Sequence, residues 1–190
     1  MKWFKVAILL LQPEDAVCRN SADLWKRRYG IPFFRCFALG QAAGYFNALA
    51  GSLTHAVDLE TKLIIVSHGS VCRVGDYNAS EFLKLLDQLG VHRVGLLAFR
   101  GCNLGKERFL DDLQIFSRLY GIQIGWMLAY RGIAGTADYH AGAHEIITVT
   151  DKLLRFVSNG NWKAPDSQRV RVLKGNVHVL PSAGSSRRYH

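Results

Sequence analysis

The sequence predicts an α/β fold: a parallel-rich central sheet with helices on both faces. Three observations carry this expectation. Short apolar runs recur along the chain, as at Leu63-Ile64-Ile65-Val66 and Val94-Gly95-Leu96-Leu97-Ala98-Phe99. They are continuously apolar rather than alternating, as expected of strands buried on both faces. Segments with helical spacing separate them, and strand–helix alternation implies right-handed crossovers. The 190 residues, 49% of them apolar, suffice for one domain with a buried core.

The elements follow in order. Phe4 to Leu11 is the first strand, stopped by Pro13. A short helix is expected from Ser21 to Tyr29, capped by Ser21 or Asn20, and a second strand from Phe33 to Leu39. Ala42, Tyr45, Phe46 and Leu49 give Gln41 to Leu53 helical spacing. Leu63 to Val66 is the third strand. Ser80 caps a helix with Phe82, Leu83, Leu85, Leu86 and Leu89 inside, ended by Gly90. Val94 to Phe99 is the fourth strand, Lys106 to Tyr120 a helix ended by Gly121, and Ile122 to Tyr130 the fifth strand. Beyond Gly135 the expectation is a last helix over Ala143 to Val157. A C-terminal β-hairpin of Val170–Leu173 and Val177–Leu180 follows, turning at Lys174-Gly175-Asn176. Residues 1–181 form one domain and 182–190 a polar tail.

Charge and cysteine usage bound the function. Lys plus Arg number 24 against 15 Asp plus Glu, a net charge of +9. Such a balance favours anionic partners. Yet the tight clusters are only Lys26-Arg27-Arg28 and Arg187-Arg188, without aromatic interleaving, so a nucleic-acid partner is not expected. The four cysteines, Cys18, Cys36, Cys72 and Cys102, form no Cys-x-x-Cys pair and have no zinc-finger spacing to histidine. They are expected to be reduced, which points to the cytoplasm. Cys18 and Cys36 are placed in or near the core. The apolar run Val6–Leu11 is too short for a signal peptide and is followed by Gln12-Pro13-Glu14-Asp15, not by a cleavage site. No stretch approaches the about 20 apolar residues of a membrane span.

Chemistry concentrates where two strands end. Val66-Ser67-His68-Gly69 and Arg100-Gly101-Cys102-Asn103 bring an imidazole and a thiol to the carboxyl edge of the sheet, where α/β folds bind ligands. The interval between them accommodates one crossover with its helix. Cys102 would be the nucleophile and His68 the general acid/base. The backbone at Gly69 and at Gly101-Cys102 would donate to an oxyanion. A helix beginning near Leu104 to Lys106 would lower the Cys102 thiol pKa. Arg73, Arg100 and Arg131 fall at or just past strand ends on the same edge. Arg131 on this edge would pair with a carboxylate of a ligand, such as an Asp or Glu side chain; Trp126 or Tyr130 would instead make an apolar wall. His140 and His144, one helical turn apart, suggest a metal pair with Asp138 or Glu145 but show no third ligand, so neither a metal nor a cofactor is expected. Asp111-Asp112 is read as a solvated helix face and Cys72 as a loop thiol.

Apolar strand, His-Gly, crossover helix, apolar strand, small residue, Cys: this order resembles the caspase-like (clan CD) cysteine peptidases. The motif details look closest to two bacterial branches, the self-cleaving peptidase domains of large toxins and the CHAT peptidases. The resemblance spans about Phe4 to Ile133 and is specific at the two motifs. It implies a thiol protease whose dyad is His68 and Cys102, with no obligatory third member. It implies a specificity-pocket wall after the fifth strand, near Arg131 and Tyr130; Arg73, by its own place on that edge, is expected to be a further substrate contact. Since the toxin domains respond to an inositol phosphate, it also implies a possible anionic activator of that kind. The initiating Met fits a domain that stands alone. The expected function is therefore cleavage of a protein or peptide substrate. The alternative is a catalytically silent caspase-like module that binds a protein or an anionic ligand.

Overall fold

The computed structural model describes residues 3–132, 134–136, 146–148 and 169–179. Five strands are built from the predicted apolar runs and their neighbours, β1 (Lys5–Leu10), β2 (Cys36–Ala38), β4 (Thr61–Val66), β5 (Arg93–Phe99) and β6 (Gln123–Tyr130), and a two-residue strand, β3 (Phe46–Asn47), falls where the sequence predicts a helix. With β9 (Val170–Lys174) they form one sheet in the order β3-β2-β1-β4-β5-β6-β9. All pairs from β3 to β6 are parallel, and β9 joins β6 antiparallel. Between them lie β7 (Ala134–Thr136) and β8 (Ile146–Thr148), which pair with each other.

Helices cover both faces, as the sequence predicts. On one face α2 (Ala79–Gln88) and α3 (Phe109–Leu119) bury Phe82, Leu83, Leu86, Phe109, Leu110 and Leu113 on Leu9, Leu63, Ile65, Leu97, Phe99 and Met127. On the other, α1 (Ala16–Tyr29) lays Cys18, Ala22 and Trp25 on Ile8, Leu10, Ile64 and Val66. The central strands β1 and β4 alternate their residues between these two cores. That is why both read as unbroken apolar runs.

Four local expectations change. α1 begins at Ala16, not Ser21, because Asp15 caps it by accepting the Cys18 N–H at 2.8 Å. The Asn78 side chain, not Ser80, caps α2, in a capping box with Glu81. A 3-10 turn over Phe33–Arg35 follows Pro32, which leaves only Cys36–Ala38 for β2. Gln41–Leu53 is not a helix. Gly40, Gly44 and Gly51 turn the chain with positive φ, and its apolar residues go to different places. Tyr45 packs under α1, Leu53 enters the opposite core and Leu49 is exposed.

The C-terminal expectations also change. β8 is a strand inside the predicted helix of residues 143–157, the rest of which lies outside the described residues. The expected hairpin is absent among the described residues. Its first arm is β9, but residues 177–179 form no strand. The predicted turn and the start of the second arm instead tie back to β6, with Gly175 N donating to Gly125 O at 2.7 Å and Val177 N to Ile124 O at 3.2 Å. β9 is also held from the side. Arg171 forks onto both oxygens of Asp111 at 2.7 and 3.0 Å, so this carboxylate is not simply solvated. The tail 182–190 lies outside the described residues.

Candidate active site

The carboxyl ends of β1, β4 and β5 lie side by side, because β4 pairs with both others in parallel. The residues that follow them are Gln12 to Asp15, Ser67 to Gly69, and Arg100 to Cys102. The two predicted motifs are therefore neighbours, and their backbones touch. A Cβ placed on Gly69 would stand 2.7 Å from Cys102 O and 2.9 Å from Cys102 N. One placed on Gly101 would meet Ser67 O at 3.1 Å and the Gly69 Cα at 3.2 Å. Only glycines permit this approach.

The His68 backbone is pinned on both sides. Its N–H donates to Gln12 Oε1 at 2.9 Å, and its carbonyl accepts from Gly75 N at 2.8 Å and Ser67 Oγ at 2.7 Å. The Gly75 bond and Ser70 N to Arg73 O fold residues 69–77 back on themselves. These two bonds flank Gly69 and leave its N–H unused among the described residues. The imidazole itself stands out in solvent, its side chain 56% exposed.

Sequence reasoning missed Asp15. Its Oδ2 lies 3.3 Å from His68 Nε2 while its Oδ1 holds the α1 cap. The cap, and then the His68 ring, hold this carboxyl below its ordinary value of 3.8. The available signal was Asp15 placed three residues before Cys18, an N-cap spacing obscured by the exposed Val17 and Arg19. Asp15→Asn keeps the capping oxygen and removes the charge. A group whose pKa is depressed by folding stabilises the fold above its unfolded pKa, and that contribution disappears as the pH falls through the folded value. The stability gap between wild type and Asp15→Asn should shrink as the pH falls below about 4. Urea unfolding at a series of pH values measures it; a gap that does not shrink below about pH 4 contradicts the assignment.

Cys102 is half-buried, in none of the three core clusters, and starts a tight turn. Asn103 takes φ 59°, a left-handed conformation that Asn tolerates better than most residues. The turn is clamped to the end of β6, with Asn103 N donating to Gly132 O at 3.0 Å and Gly105 N to Tyr130 O at 2.7 Å. The helix expected directly after the thiol starts later, at Phe109, so Cys102 is not at its N-terminus.

The other cysteines are distinct. Burial and the nearby Asp15 push the Cys18 thiol up to about 12, and burial also raises Cys36. Cys72 is exposed in the loop, 3.9 Å from Ser70 Oγ.

The predicted substrate contacts divide. Tyr130 is 2% exposed and faces the core, so it lines no open pocket. It accepts a hydrogen bond from Arg100, whose guanidinium also stacks 3.9 Å from the Trp25 ring centre. Arg100 is thus part of the packing beneath α1. Trp126 donates to Val179 O at 3.1 Å. Arg73 is exposed but paired to Glu81 at 3.2 Å, and it also donates to Asp76 O. Arg131 is exposed past the end of β6, its Nε 3.4 Å from Val170 O. His140, His144, Asp138 and Glu145 lie outside the described residues. So does Ile133, while Gly132 is the last described residue of the turn after β6.

In comparisons with known proteins, the chain matches no family model and no curated protein. Among the described residues, no helix is long and apolar enough to cross a membrane.

Proposed function

We propose that this protein is a cysteine peptidase of the caspase-like kind, with Cys102 as nucleophile and His68 as general acid/base. One observation carries the reading: Asp15, His68 and Cys102 follow three adjacent parallel strands, β1, β4 and β5, in that spatial order. An acid, an imidazole and a thiol in that order form the relay that nucleophilic catalysis needs.

The chemistry follows from the parts. His68 takes the thiol proton as the Cys102 sulfur bonds to the substrate carbonyl carbon. The Gly69 N–H and the backbone at Cys102 receive the oxyanion. The C–N bond then breaks, and His68 returns the proton to the departing amine. Water hydrolyses the thioester by the same route, restoring the thiol. Asp15 acts through His68 as a positioning residue that fixes the ring by its Nε2 and leaves Nδ1 for proton transfer.

The test is labelling with a thiol-directed peptidyl electrophile at neutral pH, read by mass spectrometry. Cys102 should be modified, while Cys18 and Cys36, buried and protonated, should be spared. Labelling should fall steeply in His68→Ala and by a smaller factor in Asp15→Asn. Uniform modification of the exposed thiols, independent of His68, would favour a silent binding module.

A further inference from the structure

We propose that Asp15, Cys18 and His68 form a zinc site, and that zinc bound there takes His68 away from Cys102 and silences the enzyme. The silencing rests on the peptidase reading; the metal site does not. A carboxylate oxygen, a thiol sulfur and an imidazole nitrogen from these residues lie within 4.8 Å of one another. Tetrahedral zinc with bonds of about 2.0–2.3 Å sets its ligand atoms roughly 3.3–3.8 Å apart. The Asp15–His68 pair already stands at 3.3 Å, so only the sulfur has to close in.

The donor set selects the metal. One N, one O and one S suit zinc, whereas calcium and magnesium require oxygen alone. The site is also supported from behind. The Cys18 N–H occupies Asp15 Oδ1, which leaves Oδ2 facing the ring. Gln12 Oε1 accepts the His68 N–H and lies 4.0 Å from Cys18 Sγ, so one amide braces two of the three ligands. Access is one-sided. The His68 and Asp15 side chains are 56% and 35% exposed, while Cys18 lies at the inner end, 4% exposed. Three protein ligands leave a fourth position for water.

Occupation and catalysis exclude each other. Zinc on Nε2 replaces the contact to Asp15 and leaves the ring proton on Nδ1. An imidazole in that state cannot accept the Cys102 proton. On binding, the Cys18 thiol loses its proton to solvent, and no redox partner is needed. His68, which follows β4, is thus flanked in the strand order by two thiols: Cys102 after β5 for chemistry, and Cys18 on α1 after β1 for the metal.

Cobalt(II) is the probe, added to metal-free protein. One equivalent should produce a thiolate-to-cobalt charge-transfer band that disappears in Cys18→Ala and in His68→Ala and persists in Cys102→Ala. Zinc should inhibit peptide hydrolysis by the wild type. Cys18→Ala should keep its basal activity and need more than about tenfold more zinc for the same inhibition. If Cys18→Ala fails to fold, Asp15→Asn, which retains the α1 cap, should weaken cobalt binding by a similar factor. A band lost in Cys102→Ala but kept in Cys18→Ala, equal zinc sensitivity of wild type and Cys18→Ala, or no band at all overturns the proposal. Failure of metal-free protein to label at Cys102 counts against the peptidase reading alone, since the cobalt result does not depend on it.

Discussion

Cys102→Ser is expected to reduce peptide hydrolysis by more than about 10³-fold while the protein stays folded. The fold should survive because the side chain lies outside all three core clusters and packs in a surface turn. His68→Ala should cost a similar factor, and the double variant little more, because nucleophile and base act as a unit. Cys18→Ser is the control. Its thiol is buried and protonated, so turnover should change by no more than a few-fold even if stability falls. Cleavage of a peptide library, followed by mass spectrometry alongside thermal unfolding, measures both quantities. Full turnover in Cys102→Ser, or loss only in proportion to unfolded protein, would remove Cys102 from the chemistry.

Gly69→Ala should damage the site without removing any reactive group. The new methyl would collide with Cys102 O at 2.7 Å and Cys102 N at 2.9 Å. Both are backbone atoms, and the Cys102 turn is clamped to β6, so neither side yields easily. The strand ends must separate by several tenths of an ångström, which moves His68 relative to Cys102. We expect turnover to fall by about tenfold or more, toward the about 10²-fold that misplacing a catalytic group by about 1 Å costs. Overpacking should also cost about 1–3 kcal/mol of stability. Gly121→Ala separates the two effects. Gly121 has φ +70° and no atom within 4 Å of an added Cβ, so an alanine there strains the backbone far from the site. It should lower the melting temperature and leave turnover per folded molecule intact. Wild-type activity in Gly69→Ala would show that the contact of the two strand ends is not part of the working site.

The parallel character of β1, β4, β5 and β6 was legible because each strand is buried on both faces. A continuous apolar run such as Leu63–Val66 leaves few other structures open. The placement of His68 and Cys102 at the ends of adjacent strands follows from the same pattern, since parallel strands end on one edge. Amphipathic spacing likewise marked α2 and α3, whose inner faces include Phe82, Leu83, Phe109 and Leu113. Where neighbouring apolar residues serve different surfaces, periodicity misleads, as it does between Gln41 and Leu53.

What the sequence by itself determined is therefore the layered α/β architecture and the two motifs at its carboxyl edge, because burial and period act locally and leave their mark residue by residue. Only the tertiary structure decided who stands beside them. Asp15 and Gln12 reach His68 across more than fifty residues of chain because β1 pairs with β4, and no local propensity encodes that pairing. The same holds for Tyr130. Its place at a strand end suggested a pocket wall, but strand parity turned it inward onto Arg100, where the ring stacks and the hydroxyl accepts a hydrogen bond. Side-chain partners separated along the chain are set by which surfaces bury one another, a property of the packed molecule and not of any segment of it.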